Sequence, residues 1–497
     1  MHDVGLLVSP NVAPLRAGRT ERLRILAMGL TDCRNMPVST ANHEALDRYE
    51  EAEDLFLSYF ADPLVVIGDA LADDPTFVMG HCFRAGLMLV SSEGSAATEL
   101  EKSVKAGESL WDDANDRERG HIVAARAWLD GDFASAIRLY GDLLRDYPRD
   151  TLALQVAHIG DFLLGQQTML RDRVARVLPH WDETVPGYSY LLGMRAFGLE
   201  ETNDFVAAES AGRRALDINP KDPWAIHAVA HVMEMQGRLA DGVAWLDHRA
   251  ENWAPENMFA YHNWWHLALF HLDLGETDRV LELYDTRIHP EPTSVAMELL
   301  DASSLLWRLQ LRGVDVGDRW QGLADSWGEI LEAGYYGFND FHAMMTFVAA
   351  GRADAADDLL AKLAECAAGE RTAAMINREV ALPLCRALQA FSKGDYSECV
   401  NLIEATRPRA VLFGGSNAQR DVIGLTQVEA SLRGGMRSTA RSLAAERTHY
   451  KPSNPFNWQL TARVFELAGD EHGAEQMRSQ ASALVSQSLC SHPTAAA

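Results

Sequence analysis

Basic residues are scarce in this chain. Lysine and arginine together number 45 against 71 aspartates and glutamates, a net charge of −26. A nucleic-acid backbone or an anionic membrane surface rewards clustered positive charge. No Lys/Arg cluster interrupts the acidic balance, so neither nucleic acid nor membrane is expected as a partner. Cysteines are also few: six in 497 residues, at 33, 82, 366, 385, 399 and 490, with no Cys-x-x-Cys. This argues against a thiolate zinc site or a disulfide framework and fits reduced thiols in a cytoplasmic protein. No stretch approaches the roughly 18 uninterrupted apolar residues of a membrane span. The opening Met1-His2-Asp3-Val4-Gly5 lacks the charged-then-apolar pattern of a secretory leader. Period-2 strand runs of useful length are missing as well. So are a Gly-x-Gly-x-x-Gly after a strand and a Gly-x-Ser-x-Gly, which leaves a flavin site or a serine nucleophile without support.

The chain is rich in helical hairpins. Gly or Asn punctuates it at Gly131, Gly165, Asn203, Gly237, Gly275, Gly313, Gly351, Gly394, Gly434 and Gly469, with successive turns 34 to 43 residues apart. That is the period of helical-hairpin solenoids. Segments after the turns carry small residues at helical spacing and often end in proline, as in Ala208, Ala211, Ala215 and Pro220. An apolar fraction of 47% supports an extensive core. The expected fold is all-α: a tetratricopeptide-type solenoid over residues 115–490, preceded by an N-terminal arm and helical cap (1–114) and followed by a disordered tail (491–497). Within the cap, Thr31 to Asn42 reads as a loop whose Ser39-Thr40-Ala41-Asn42 supplies helix caps. Asp73-Asp74-Pro75 reads as the opening of another helix, with proline in its first turn.

The chemistry concentrates between residues 224 and 275. His227 and His231 are four apart, as are His262 and His266, so each pair shares one helical face. Glu234 lies on the face of the first pair; Trp224, Asn263 and Trp265 flank the two pairs. Counting back from each turn glycine measures height along a helix. His227 stands ten residues before its glycine, and His266, Ser304, His342 and Cys385 each stand nine before theirs. At about 1.5 Å per residue these positions form one level, a polar belt on the inside of a superhelix. Asp301 and Arg308 share the Ser304 face.

Three readings of the histidines stay open. The first is a metal site of His227, His231, Glu234 and His266 for zinc or non-haem iron. The second is a metal-free pocket in which His227, His231, Glu234, His262 and His266 do acid–base work between tryptophan walls. The third is a structural set of satisfied core residues. Gly414-Gly415 followed by Ser416, Asn417, Gln419 and Arg420 reads as a capped helix start able to hold a carboxylate or phosphate, the alternative being a brace for the superhelix. His121 and Asn339, Asp340 and His342 are further candidates for the same cavity. Glu200-Glu201 reads as a helix-end feature rather than a catalytic dyad. Cys385 is an outside candidate for a nucleophile, with a small buried thiol as the alternative.

Several of these stretches carry a resemblance. Arg117 to His121, Ala196 to Glu201, Trp224 to Gln236, His262 to His266, Ser304 to Arg308 and Gly414 to Asp421 are similar to the tetratricopeptide repeat protein 38 family, also called StaR-like. The resemblance covers nearly the whole chain. It implies a mostly helical, right-handed superhelix. One antibiotic-pathway branch of the family has been suggested to hydroxylate a tyrosine side chain. By resemblance to tetratricopeptide repeats in general, the first helix of each hairpin lines the concave wall.

The expected function is that of an enzyme on a solenoid scaffold. Its substrate would be a small polar or anionic metabolite, oriented by Trp224, Asn263, Trp265, Asp301, Ser304, Arg308, His342, Ser416, Asn417, Gln419 and Arg420. The reaction is hydrolytic or oxidative, with a divalent metal (Zn or Fe) as the cofactor if there is one. The alternative is a non-catalytic adaptor that binds a peptide or partner protein on its concave face. A homodimer is left open.

Overall fold

The computed structural model describes residues 30–491. The N-terminal arm, the helical pattern expected from Thr20 and the tail at 492–497 lie outside the described residues. Among these, the chain is a run of antiparallel helical hairpins, a tetratricopeptide-like all-α solenoid. Among the described residues the strands are Leu30–Thr31 and Pro37–Val38, paired antiparallel, so the expected Thr31–Asn42 loop contains a short β-ladder; a single antiparallel bridge joins Phe60 to Asn257.

Local chemistry sets the hairpins. Asp132, Asp150, Asp204, Asp222 and Asp395 each cap a helix by accepting a backbone N–H with the side chain. Satisfying such an otherwise orphaned donor is worth about 1 kcal/mol. The turn residues enter the left-handed region, including Gly131, Asn203, Gly237, Gly275 and Gly469. In the ninth turn that conformation belongs to Gly435, not Gly434. Asn42 caps the His43–Ser58 helix, accepting from the Glu44 and Ala45 amides. Pro75, expected in a first helical turn, instead sits in the connection between Pro63–Asp73 and Val78–Val90. There Asp74 turns its carboxylate to the Thr76 amide and hydroxyl, so the chain bends before the next helix begins.

First and second helices of the hairpins differ in burial. Pro223–Gln236, Ala260–Leu274 and Ala296–Leu311 are buried on nearly every face. Second helices such as Phe205–Ile218 bury one narrow stripe, Ala208, Gly212 and Ala215. A helix apolar all round belongs inside a layered array. Close approach also needs missing side chains: a Cβ on Gly198 would fall 2.5 Å from the Leu170 backbone.

The solenoid does not pack only neighbour to neighbour. It closes on itself. The Asn417–Arg433 helix packs against both Pro223–Gln236 and Ala296–Leu311. Trp307 donates to Thr426 Oγ1 at 3.0 Å, and Arg308 donates to the Ala418 carbonyl at 2.8 Å. The terminal Glu471–Ser491 helix lies on Leu239–Asp247, where Ser488 Oγ accepts from the Ala240 amide. Gly165, in the left-handed region, lies so near Val411 that a Cβ would meet its carbonyl oxygen at 1.7 Å. The N-terminal helices also reach the array: the Met258 amide donates to the Tyr59 carbonyl at 2.7 Å, and Asn257 Nδ2 donates to the Ser58 carbonyl at 3.2 Å. What an open superhelix would present as a concave groove is here largely interior.

A four-histidine cluster beside an apolar cavity

The Pro223–Gln236 helix starts sharply. Asp222 caps it, Pro223 occupies the first turn, and Gly237 ends it in the left-handed region. This fixes the rotation of His227, His231 and Glu234. The adjacent Ala260–Leu274 helix presents His262 and His266 to the same space. All four histidines are buried, and their four donor nitrogens lie within 4.8 Å of one another.

The nitrogens are sorted. His231 Nε2 lies 2.9 Å from His227 Nε2, and His262 Nε2 lies 3.1 Å from the same atom. The outer nitrogens meet carboxylates. His262 Nδ1 donates to Asp301 Oδ2 at 2.7 Å, and His266 Nδ1 donates to Glu234 Oε2 at 3.0 Å. His231 Nδ1 faces Glu200 Oε2 at 3.4 Å. An outer N–H given to a carboxylate leaves the Nε2 lone pair pointing inward. An sp² ring nitrogen has one in-plane position, so His227 Nε2 cannot serve both of its short contacts with one proton. A cation at the centre would serve all of them: a tetrahedral ion with bonds of about 2.0–2.1 Å gives N···N edges of about 3.4 Å.

Electrostatics favour neutral rings at His227, His231 and His266. Burial, reinforced by the neighbouring imidazoles, holds His227 and His266 well below the usual histidine range. Burial pushes His231 down to about 4. Neutral imidazole is the metal-ligating form.

Two hollows lie near the cluster, and one of them touches it. One is an apolar cavity of about 360 Å³ touched by His227 and His262 and walled by Tyr59, Phe197, Trp224 and Phe259. The other is a polar groove of about 410 Å³ lined by Asn417, Arg420, Arg447, Tyr450 and Lys451. Lys451 Nζ approaches Glu234 Oε1 at 3.8 Å, linking the groove to the outer side of His266.

The residues expected from sequence divide. Glu234 stands outside the ring of nitrogens, on His266, whereas His262 stands within it. Asp301 backs His262, and Trp265 stacks on the His262 ring with centroids 5.3 Å apart. Trp224 lines the apolar cavity, as do Ser416 and Gln419, which form a capping box with each other. Asn263 is fully buried with neither side-chain atom hydrogen-bonded.

Arg308 is spent internally on Ser304 and on the Ala418 and Gln419 carbonyls. Arg420 donates to the Gly414 and Gly415 carbonyls and to Asn417 Oδ1. The expected anion at this helix start is supplied by the chain itself, because Glu201 Oε1 accepts from the Asn417 amide at 2.8 Å. His342 leaves the belt. Its Nδ1 donates to its own helix at Phe338 O, 2.8 Å away, and burial pushes it down to about 3. Cys385 directs its thiol to the Asp340 carbonyl, and burial raises its pKa well above the ordinary thiol range. His121 belongs to a separate buried network with Asp150 and Arg117.

Sequence reasoning set aside Glu200 and Glu201, although a signal existed. Glu200 stands three residues before Asn203, as Glu234 stands three before Gly237, so the repeat frame puts both at one height. Lys451 and His158 gave no such signal. His158 is fully buried beside Phe197 and Trp224 with neither ring nitrogen hydrogen-bonded.

No protein-family model matches the chain. A curated relative, cellulose synthase 2 operon protein C of Komagataeibacter xylinus, is 30% identical over 129 residues, which is 25% of this chain. The matched part spans 10% of that relative's length. Among solved structures, the human IFIT1 dimer with m7Gppp-AAAA is similar at TM-score 0.40 and 14% identity, over 88% of this chain and 95% of that one. Yeast Tom70 is similar at TM-score 0.31 and 12% identity, over 90% and 96%. Likenesses this distant carry no statement of activity.

Proposed function

We propose that the chain is a metal-dependent enzyme whose ion is held by His227, His231, His262 and His266 and whose substrate occupies the apolar cavity beside them. The observation that carries this reading is the sorting of nitrogens: Nε2 inward, with carboxylates on the Nδ1 atoms of His262 and His266. Core histidines that are merely satisfied have no need of converging lone pairs. The donor set of imidazoles suits zinc, iron or copper, and such an ion would act on a neighbouring molecule as a Lewis acid or redox centre. His227 has no carboxylate on Nδ1 and borders the cavity, so it is the ligand best placed to yield a coordination position.

The cavity argues for a substrate with an aliphatic or aromatic body. The arginines expected to orient a polar or anionic substrate are engaged within the chain, and aromatic rings form much of the cavity wall. Membership of the tetratricopeptide repeat protein 38 family is part of the same proposal. The stretches that carry that resemblance supply Glu200, the four histidines, Arg308 and the helix start at Ser416.

Metal analysis of purified protein tests the reading. The expected result is a stoichiometric transition metal, native or after loading with zinc or iron, that is lost in His262→Ala and His266→Ala while the helical CD signal persists. A well-folded wild type that takes up no metal would overturn it. The adaptor reading rests on the polar groove with Arg407, Arg447 and Asn457. Tight peptide binding unaffected by those histidine substitutions would favour it.

A further inference from the structure

The Nδ1 atoms of His262 and His266 each donate to a carboxylate, at 2.7 and 3.0 Å. The equivalent pair at His231 differs. Its Nδ1 stands 3.4 Å from Glu200 Oε2, and neither His231 Nδ1 nor either Glu200 oxygen has a hydrogen-bond partner. All these atoms are fully buried. A buried carboxylate left without partners is costly, several kcal/mol in typical cases. Glu201 lies alongside, its own oxygens held by the Asn417 amide at 2.8 Å and by Gln167 Nε2 at 2.9 Å. One donor atom from each of Glu200, Glu201 and His231 falls within 4.8 Å of the others.

We propose that Glu200, Glu201 and Nδ1 of His231 hold a second transition-metal ion, bridged through the His231 ring to the ion of the four-histidine site. The inference rests on that first site, because the bridge needs Nε2 of His231 turned to an ion there. The 3.4 Å separation is what a tetrahedral ion sets between a nitrogen and an oxygen ligand, with bonds of about 2.0–2.2 Å. Bridging replaces the ring proton of His231, which leaves to solvent.

Charge points the same way. Glu200, Glu201 and Glu234 gather three carboxylates, opposed by Arg420 at 3.6 Å from Glu201 and Lys451 at 3.8 Å from Glu234. Neither cation pairs directly with Glu200, whose oxygens stay without a hydrogen-bond partner. Access comes from the polar groove, whose lining includes Gln167, Asn417, Arg420 and Lys451, the residues bonded to Glu201 and Glu234. Three protein donors leave a tetrahedral ion one open position, the arrangement of catalytic rather than closed structural sites. The paired centre would face an apolar chamber through one ion and a polar groove through the other. The rival occupant of the gap is a proton shared by the two carboxyls.

Counting ions on the full chain separates these cases. Dialysis against Zn²⁺ alone is expected to load two ions per chain in the wild type and one in Glu200→Gln. One ion in both proteins would overturn the second site and leave the first standing, with the shared proton as occupant. Two ions in both would place the second elsewhere and overturn it equally. No ion in the wild type would overturn both readings. A readout without substitution covers a variant that fails to fold. Loaded with Cu²⁺, the wild type is expected to show an EPR intensity well below its copper content, because imidazolate-bridged spins couple. Full, uncoupled intensity would count against the bridge.

Discussion

His262 reaches Asp301 Oδ2 at 2.7 Å through Nδ1 and His227 Nε2 at 3.1 Å through Nε2. One ring thereby joins three successive first helices, and its orientation is set from the side away from the cluster. A carboxylate in that position raises the basicity of the inward nitrogen and fixes its tautomer. His266 and Glu234 repeat the arrangement one turn along the same helix.

Asp301→Asn should therefore weaken metal binding without removing it. The volume is kept and the charge is lost, and the expected drop in affinity is about 10- to 100-fold. Competition against a chromophoric chelator measures it. Unchanged affinity in a folded variant would deny Asp301 this role.

Metal removal should lower the melting temperature reversibly. An ion that binds only the folded chain contributes about 2.7 kcal/mol at a hundred times its dissociation constant. Thermal unfolding across a zinc titration should show a melting temperature that climbs with metal. In His266→Ala the slope should vanish.

Met88 lines the apolar cavity and is half-buried. Met88→Trp should fill part of the space and reduce the affinity for a neutral aromatic probe such as N-phenyl-1-naphthylamine by at least about tenfold, because added bulk in a formed pocket excludes its occupant. Metal content should not change. Fluorescence titration reads the first effect, and a probe bound equally well by both proteins would shift the ligand site elsewhere.

Two buried aspartates should shape the pH dependence of stability in opposite directions. Arg117 and His121 hold Asp150 below the usual carboxylate range against its burial. Its contribution is present above the ordinary pKa near 3.8 and is lost as pH falls below it. Breaking such a buried pair costs about 3–5 kcal/mol, so Asp150→Asn should be markedly less stable at neutral pH and should lose part of the acid transition. Burial pushes Asp340 up to about 7, with the Gly334 amide opposing. Its folded pKa is raised, so its contribution is full below about 4 and fades as pH rises through about 7. Asp340→Asn should flatten the decline between those values. Denaturant midpoints from pH 3 to 9 would test both, and a variant curve parallel to the wild type would contradict the assignment.

The hairpins were readable because their signals are local. A left-handed turn residue and an aspartate cap act within a few positions of themselves, and the four-residue spacing of the histidine pairs is a property of one helix. Height along a helix was readable too, and it aligned His227 with His266, whose rings stand 5.1 Å apart. Rotation was not. Ser304, His342 and Cys385 occupy the expected level, yet each turns to a partner outside the cluster: Arg308, Phe338 O and Asp340 O. Glu200 was underrated because a glutamate near a helix end is ordinarily solvated. Only the closure of the solenoid over it removes the water.

The sequence by itself determined an all-helical hairpin array and the two histidine faces, since periodicity, caps and turn conformations depend on neighbours in the chain. Tertiary structure decided the rest. Glu201 meets Asn417, Glu234 meets Lys451 and Arg308 meets Ala418 across more than a hundred residues of chain. Those contacts depend on the angle between successive hairpins, accumulated over the array until distant repeats meet. That angle is a sum of many packing choices, none of which any single repeat carries.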